Sequence, residues 1–273
     1  MKTVLMTGAA GGVAAFLRKE LAGRYRLRLS DRRQPEGLAE GEDFVAADLA
    51  DMAALEAAVE GVDGIVHLGA YSVEGDWETI HQANIVGTYN LFEAARRAGV
   101  RRIVFASSNH AMGYYPRSHT IPVDTSVRPD TRYGLSKAFG EALGSLYADK
   151  YGAEVLSIRI GHIMPKPATV RDLAIWLSPR DFVQLIGIGL ETPVLRHEIV
   201  YGMSDNARAW WDGTNARRLG YRPEDRAEDH AAEVLAADAG PSGDPRVDLH
   251  QGGAFCAAEA MTMPNREKDE TVD

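Results

Sequence analysis

The run Thr7-Gly-Ala-Ala-Gly11-Gly12, set between an apolar segment and a helical one, constrains this chain more than any other feature. Residues 2–7 read as a short buried strand, and residues 15–21 place apolar side chains at helical spacing. A strand, a tight glycine turn and a helix in that order form the opening unit of a doubly wound α/β fold. Gly8 and Gly11 let backbone approach a pyrophosphate, and the helix start offers unpaired N–H groups at the positive end of its dipole. Ala14 stands where a third glycine is usual, which sets helix and strand slightly further apart. A tight turn in an unrelated α/β protein would share these few residues, so the rest of the chain decides.

The alternation continues. Residues 26–31, 44–49, 62–70, 102–108 and 155–160 read as further strands, with helices over 52–60 and 79–98 between them. Such alternation implies a parallel sheet with helices on both faces, and ligands of such sheets gather at the carboxyl ends of the strands. Gly8, Asp31, Asp48, Gly69 and Ser108 all fall at such ends. Asp31 lies 23 positions after Gly8. An acid there accepts hydrogen bonds from adenosine ribose hydroxyls and repels a 2′-phosphate, which favours NAD over NADP. Arg32 and Arg33 beside it could pair with that phosphate and blur the preference. Beyond residue 160 the pattern turns irregular and proline-punctuated, with a helix start at Ser178 (N-cap) and Pro179 (first turn). The reading is α/β: a Rossmann-type doubly wound parallel sheet over 1–160, a small C-terminal substrate-binding lobe over 161–263, and a loose polar tail over 264–273.

The net charge of −9 argues against nucleic acid or an anionic membrane as partner. A single cysteine, Cys256, excludes an intrachain disulfide and a cysteine-built metal site, and no metal is expected. Met1-Lys2 leads directly into a strand, and no run of about 18 apolar residues exists, so a cytoplasmic protein is expected.

The chemistry points to Tyr133-Gly-Leu-Ser-Lys137, 25 residues beyond the serine pair Ser107-Ser108. Helix positions i and i+4 share a face, so phenol and ammonium point into one pocket. A free phenol has a pKa near ~10, and a neighbouring cation brings it toward the working range of a base. A serine hydroxyl nearby would hold the oxygen whose proton the phenolate removes. Tyr-x-x-x-Lys alone occurs on exposed helices by chance; the nucleotide-binding unit and the serine-bearing strand end give it weight. Arg171 is a candidate for binding a carboxylate through two parallel hydrogen bonds, against the ordinary alternative of a surface arginine. Trp210-Trp211 and Tyr114-Tyr115 read as packing residues and Cys256 as a small buried apolar one. His110, directly after Ser108-Asn109, reads as a ligand contact in preference to a core histidine.

Thr7-Gly-Ala-Ala-Gly11, His67-Leu-Gly69, Asn84-x-x-Gly87-Thr88-x-Asn90, Ser107-Ser108 and Tyr133-x-x-x-Lys137 together resemble the extended short-chain dehydrogenase/reductases. Ser107-Ser-Asn-His110 with Gly113-Tyr-Tyr-Pro116, Trp210-Trp211-Asp212 and Gln251-Gly-Gly-Ala-Phe255 are similar to the bacterial uronate dehydrogenases. The resemblance implies oxidation of C1 of galacturonate or glucuronate with NAD to an aldarolactone. It implies Tyr133 as base, Lys137 as its electrostatic partner and a ribose contact, and Ser108 as holder of the reacting oxygen. Cofactor contacts would come from Gly8, Gly11, Gly12, Val13, Asp31, Asp48, Leu49, Gly69, Ala70, Asn84 and Lys137. Ser72, Ser108, Asn109, His110, Tyr133, Arg171 and Phe255 would contact a sugar-acid substrate. His162 departs from the family, standing where a serine is usual, and could shift substrate preference or point elsewhere. Related enzymes pair through the helices beginning near Thr79 and Tyr133, so a homo-oligomer is expected. Two alternatives stay open: an epimerase or reductase of a nucleotide-linked sugar, and a non-catalytic dinucleotide-sensing protein.

Overall fold

The computed structural model describes residues 1–258. The tail expected over 264–273, and the last residues of the 161–263 lobe, lie outside them. The chain opens with β1 (Thr3–Thr7), α1 (Gly12–Leu21), β2 (Arg26–Asp31), β3 (Glu42–Ala46), α2 (Met52–Val59) and β4 (Gly64–His67). It continues with α3 (Trp77–Ile80), α4 (Gly87–Arg97), β5 (Arg102–Ser108), α5 (Arg132–Tyr151) and β6 (Glu154–Ile160). A short excursion, β7 (His162–Ile163), α6 (Asp172–Ile175) and β8 (Trp176–Leu177), precedes α7 (Pro179–Glu191) and β9 (His197–Gly202).

The main sheet has seven strands in the order β3-β2-β1-β4-β5-β6-β9, all parallel. From β1 the chain winds outward to β3, then returns to β4 on the other side of β1 and winds the opposite way. The crevice where the winding reverses, at the carboxyl ends of β1 and β4, is where such sheets bind ligands. Here the two strand ends nearly touch. Gly8 has φ +71, and a Cβ on it would lie 2.7 Å from the Gly69 nitrogen, so only glycine closes this turn.

Two apolar layers hold the sheet. Leu17 and Leu21 of α1 pack with Phe182, Ile186 and Leu190 of α7 on one face. Leu55 and Val59 of α2, Leu91 and Phe92 of α4, and Leu143 and Tyr147 of α5 cover the other. Burying each such side chain contributes roughly 1.5–3 kcal/mol.

Several boundaries differ from the sequence reading. β3 ends at Ala46 and β4 at His67, so Asp48, Leu49, Gly69 and Ala70 lie in the loops beyond. The helix expected over 79–98 is α3 joined to α4 through a π-helical turn, His81–Val86, which contains Asn84. The division at residue 160 cuts through the sheet, because α7 and β9 belong to its layers. β9 escaped notice because it is an edge strand, paired only to β6, and opens with the polar pair His197-Glu198 after Pro193. The Ser178 cap is as expected: its hydroxyl accepts from the Asp181 N–H and Pro179 follows in the first turn.

Helix α5 lies unusually close to β5, because a Cβ on Gly140 would come within 2.2 Å of the Phe105 ring. Gly140→Ala should therefore lower stability by about 1–3 kcal/mol through overpacking, measured by urea unfolding. An unchanged midpoint would contradict the close approach.

Candidate active site

The crevice is a groove of about 1010 Å³ lined by Gly8, Gly11, Gly12, Val13, Asp31, Asp48, Leu49, Gly69, Ala70 and Ser72, with Arg32 and Arg33 at its edge. Gly11 caps α1 without a side-chain bond, so the first-turn N–H groups stay available, and a Cβ on Gly12 would meet nothing within 4 Å. The Asp31 carboxylate accepts from the Ala10 N–H at 3.0 Å and the Arg32 N–H at 2.7 Å. Each oxygen keeps a lone pair for a diol. Free helix N–H groups beside open space, and a carboxylate held at the far edge, fit a dinucleotide with unphosphorylated ribose.

Asn84 is placed differently from the expectation and does not line this groove. Its amide nitrogen donates to the Tyr71 carbonyl and to Ser136 Oγ, and its oxygen accepts from the Tyr71 N–H. It braces the 71–72 loop against α5. Lys137 is also outside the groove lining, and its Nζ donates to the Ala106 carbonyl at 2.8 Å.

Three residues on one face of α5, Tyr133, Lys137 and Glu141, follow at i, i+4 and i+8, and all are buried. The Glu141 carboxylate takes both Nε and Nη2 of Arg159, at 2.9 and 2.8 Å, and the Ser107 hydroxyl at 2.6 Å. That fixes the rotation of α5 against β5 and β6. The helix start is fixed as well, since Thr131 Oγ1 accepts from the Gly134 N–H and Glu74 Oε2 from the Tyr133 N–H. As a result Tyr133 faces Ser108, whose hydroxyl works to lower the pKa of the phenol.

Around this pair gather most of the residues assigned to a substrate. His110 stacks on Phe255 at 3.8 Å, with Tyr133 edge-on to both rings. The Arg171 Nε and Nη2 donate to the Gln251 carbonyl, at 3.1 and 2.6 Å. With its amide oriented to satisfy the network, Asn109 accepts from Arg171 Nη2 and donates to the Ile160 carbonyl. Arg171 has no carboxylate ion pair among the described residues, and burial pushes it down to about 10. His162 is half-exposed and its Nδ1 lies 2.8 Å from Asp172 Oδ1, whose partner oxygen accepts from the Ala168 and Thr169 N–H groups. Ser72 is exposed on the groove wall. Trp211 stacks on Tyr201, Trp210 lies under Arg117, and the Cys256 thiol is buried and pushed up to about 12, so these are packing residues. Sequence reasoning missed Glu74, Asp130 and the Glu141–Arg159 pair. Glu141 alone left a trace, one further helical turn beyond Lys137.

Residues 4–168 match the NAD dependent epimerase/dehydratase family. The chain belongs to that family. It is 48% identical to the uronate dehydrogenase of Pseudomonas putida over 258 residues, 93% of this chain and 96% of the relative. A glucuronic acid dehydrogenase from Chromohalobacter salexigens superposes with a TM-score of 0.91 at 46% identity, covering 94% and 97% of the two chains. A mutant of the Agrobacterium tumefaciens uronate dehydrogenase, complexed with NAD, gives 0.92 at 43% identity, covering 96% and 100%. Among the described residues no helix is long and apolar enough to cross a membrane, and no cluster of His, Cys, Asp and Glu is placed to hold a metal.

In this family member the electrostatics of the tyrosine differ from the simple expectation. Burial pushes Tyr133 up to about 12, and the neighbouring Ser108 hydroxyl pulls only partly against it. Lys137 does not offset this, because burial pushes its own ammonium down to about 7. Desolvation outweighs the pairing of the two groups, and additional positive charge must enter the site to favour the phenolate.

A sign follows for stability. From about 7 up to the ordinary 10.5 the folded protein has released the Lys137 proton and the unfolded chain still holds it. Stability therefore rises with pH across that window, while below it the buried charge is held at full cost. The melting temperature of Lys137→Met minus that of wild type, measured without nucleotide, should be most positive near about pH 6 and shrink toward about pH 9. A difference that is flat or grows with pH would contradict the burial argument.

Proposed function

We propose that this protein oxidises the anomeric hydroxyl of a hexuronate, galacturonate or glucuronate, to the aldarolactone, with NAD as oxidant. The observation that carries this is Arg171: a half-buried, largely desolvated guanidinium without a carboxylate partner among the described residues, joined through Asn109 to the strand end that carries Ser108. A cation drawn partly out of water favours an anion beside it. The Nε–Nη2 edge is taken by Gln251, so a uronate carboxylate would meet the remaining Nη1 hydrogens. The uronate and glucuronic acid dehydrogenases named above, similar over nearly the whole chain, support the same substrate class.

Bound in the groove, NAD⁺ would supply the acceptor for the C1 hydride and a positive charge near the phenol. Gly12 and Val13 would hold its pyrophosphate with their N–H groups, and Asp31 its ribose hydroxyls. Ser108 holds the reacting oxygen, and Tyr133 removes its proton. Arg171 anchors the far end of the sugar, so that C1 is aimed at the groove. The ring stays closed as C1 becomes a carbonyl, which makes the product a lactone. His162, anchored by Asp172, adds a further polar group at the edge of the site. Exposed Tyr89 on α4 with Leu135, Leu146 and Tyr151 on α5 supports self-association through these helices.

Tyr133→Phe should bind NAD as wild type does and lose about 10²-fold or more in kcat, followed by absorbance of the reduced nicotinamide. Near-normal turnover would remove Tyr133 from the chemistry. Arg171→Ala should depress kcat/KM for hexuronates about 10²-fold more than for neutral aldoses. Equal losses on both classes would refute the carboxylate contact.

A further inference from the structure

His110 offers two nitrogens, and the structure uses only one. Nδ1 lies 2.7 Å from Asp130 Oδ2, and Nε2 has no hydrogen-bond partner among the described residues. The Asp130 side chain has no exposed surface. Its carboxylate occupies space reserved by two glycines: a Cβ on Gly113 would come within 1.8 Å of Oδ2, and one on Gly252 within 1.9 Å. Gly252 adjoins the Gln251 carbonyl that holds Arg171, and Gly113 follows the turn that carries His110. Two distant parts of the chain thus leave room for one carboxylate. Its backbone is held too, the Asp130 N–H donating to the His110 carbonyl at 3.3 Å.

We propose that Asp130 is a positioning residue that fixes the tautomer of His110, so that Nε2 presents an acceptor to a hydroxyl of the sugar. This rests on the hexuronate reading above. An ionised carboxylate only accepts, so Nδ1 carries the hydrogen and Nε2 keeps its lone pair. The two nitrogens lie on opposite sides of the ring, which directs Nε2 away from the glycine cage. Stacking on Phe255 at 3.8 Å holds the ring plane. Burial lowers the His110 pKa, with the Arg171 and His162 charges acting the same way and Asp130 opposing, so the ring stays neutral. A neutral ring with a committed Nδ1 reads a hydroxyl donor and rejects a position that lacks one.

The geometry also says what Asp130→Asn would do. Thr131 Oγ1 accepts from the Gly134 N–H at 3.0 Å, so its hydrogen goes to Asp130 Oδ1 at 2.9 Å. An isosteric amide must then put its oxygen at the Oδ1 site and its NH₂ toward His110. That NH₂ donates to Nδ1, the ring hydrogen moves to Nε2, and the acceptor becomes a donor. Nitrogen-15 NMR of the histidine ring should report Nδ1–H for His110 in wild type and Nε2–H in Asp130→Asn. NAD affinity should be unchanged, while KM for galacturonate rises roughly tenfold or more and kcat stays within about threefold. The Nε2–H form in wild type would overturn the proposal, whether or not the variant folds. So would an inverted tautomer with unchanged KM, or a fall in kcat alone. Wild-type protein with the expected tautomer and no turnover of any hexuronate would count against the functional reading and leave the Asp130–His110 assignment standing.

Discussion

The site depends on one buried ion pair. Glu141 on α5 holds Arg159 on β6 by two parallel bonds and Ser107 on β5 by a third. Close packing at Gly140 sets how near helix and strand lie, and the ion pair adds a directional bond that packing alone lacks. With the pair in place, the helix face bearing Tyr133 and Lys137 has one orientation toward Ser108. Removing one partner of such a pair leaves a buried charge and costs about 3–5 kcal/mol, so the arrangement is both specific and fragile. The glycines on α5 serve the same end by letting the helix lie directly on β5.

Burial sets the chemistry around that frame. The same exclusion of water that positions Tyr133 raises its pKa and lowers that of Lys137. The protein alone therefore holds a neutral phenol beside an amine whose charge is weakened. Arg171 is a third group, drawn partly out of water, and it too is pushed down. A cationic cofactor and an anionic sugar would each supply what the polypeptide lacks at its own end of the site. Neither the groove nor the lobe is complete as chemistry without the other.

Much of this was legible in the sequence, for physical reasons. Gly8 and Gly11 between a strand and a helix, Asp31 at the second strand end and the i, i+4 spacing of Tyr133 and Lys137 are local patterns, and each describes its own surroundings. The seventh strand was not legible, because β9 is an edge strand with polar residues at its start. The sequence reading assigned Asn84 to the cofactor and Arg171 to a carboxylate, with no sign of what else would hold them. Both side chains are engaged by partners far away in the chain, Ser136 and Gln251, and no local pattern announces such partners. Asp130 escaped for the same reason: its value comes from Gly113 and Gly252, and a glycine's missing side chain is silent about what fills the space. The tyrosine's electrostatics were misjudged because spacing shows which charges are neighbours and not how dry they are.

C1 of a hexuronate should undergo net oxidation within the sheet's crevice, and not the transient oxidation of an epimerase. Galacturonate carrying deuterium at C1, incubated with NAD⁺ and the protein, tests it most directly when both products are followed by NMR. Deuterium is expected in the reduced nicotinamide, one equivalent per lactone formed. Deuterium that remains in the sugar, with no net reduced cofactor, would contradict it.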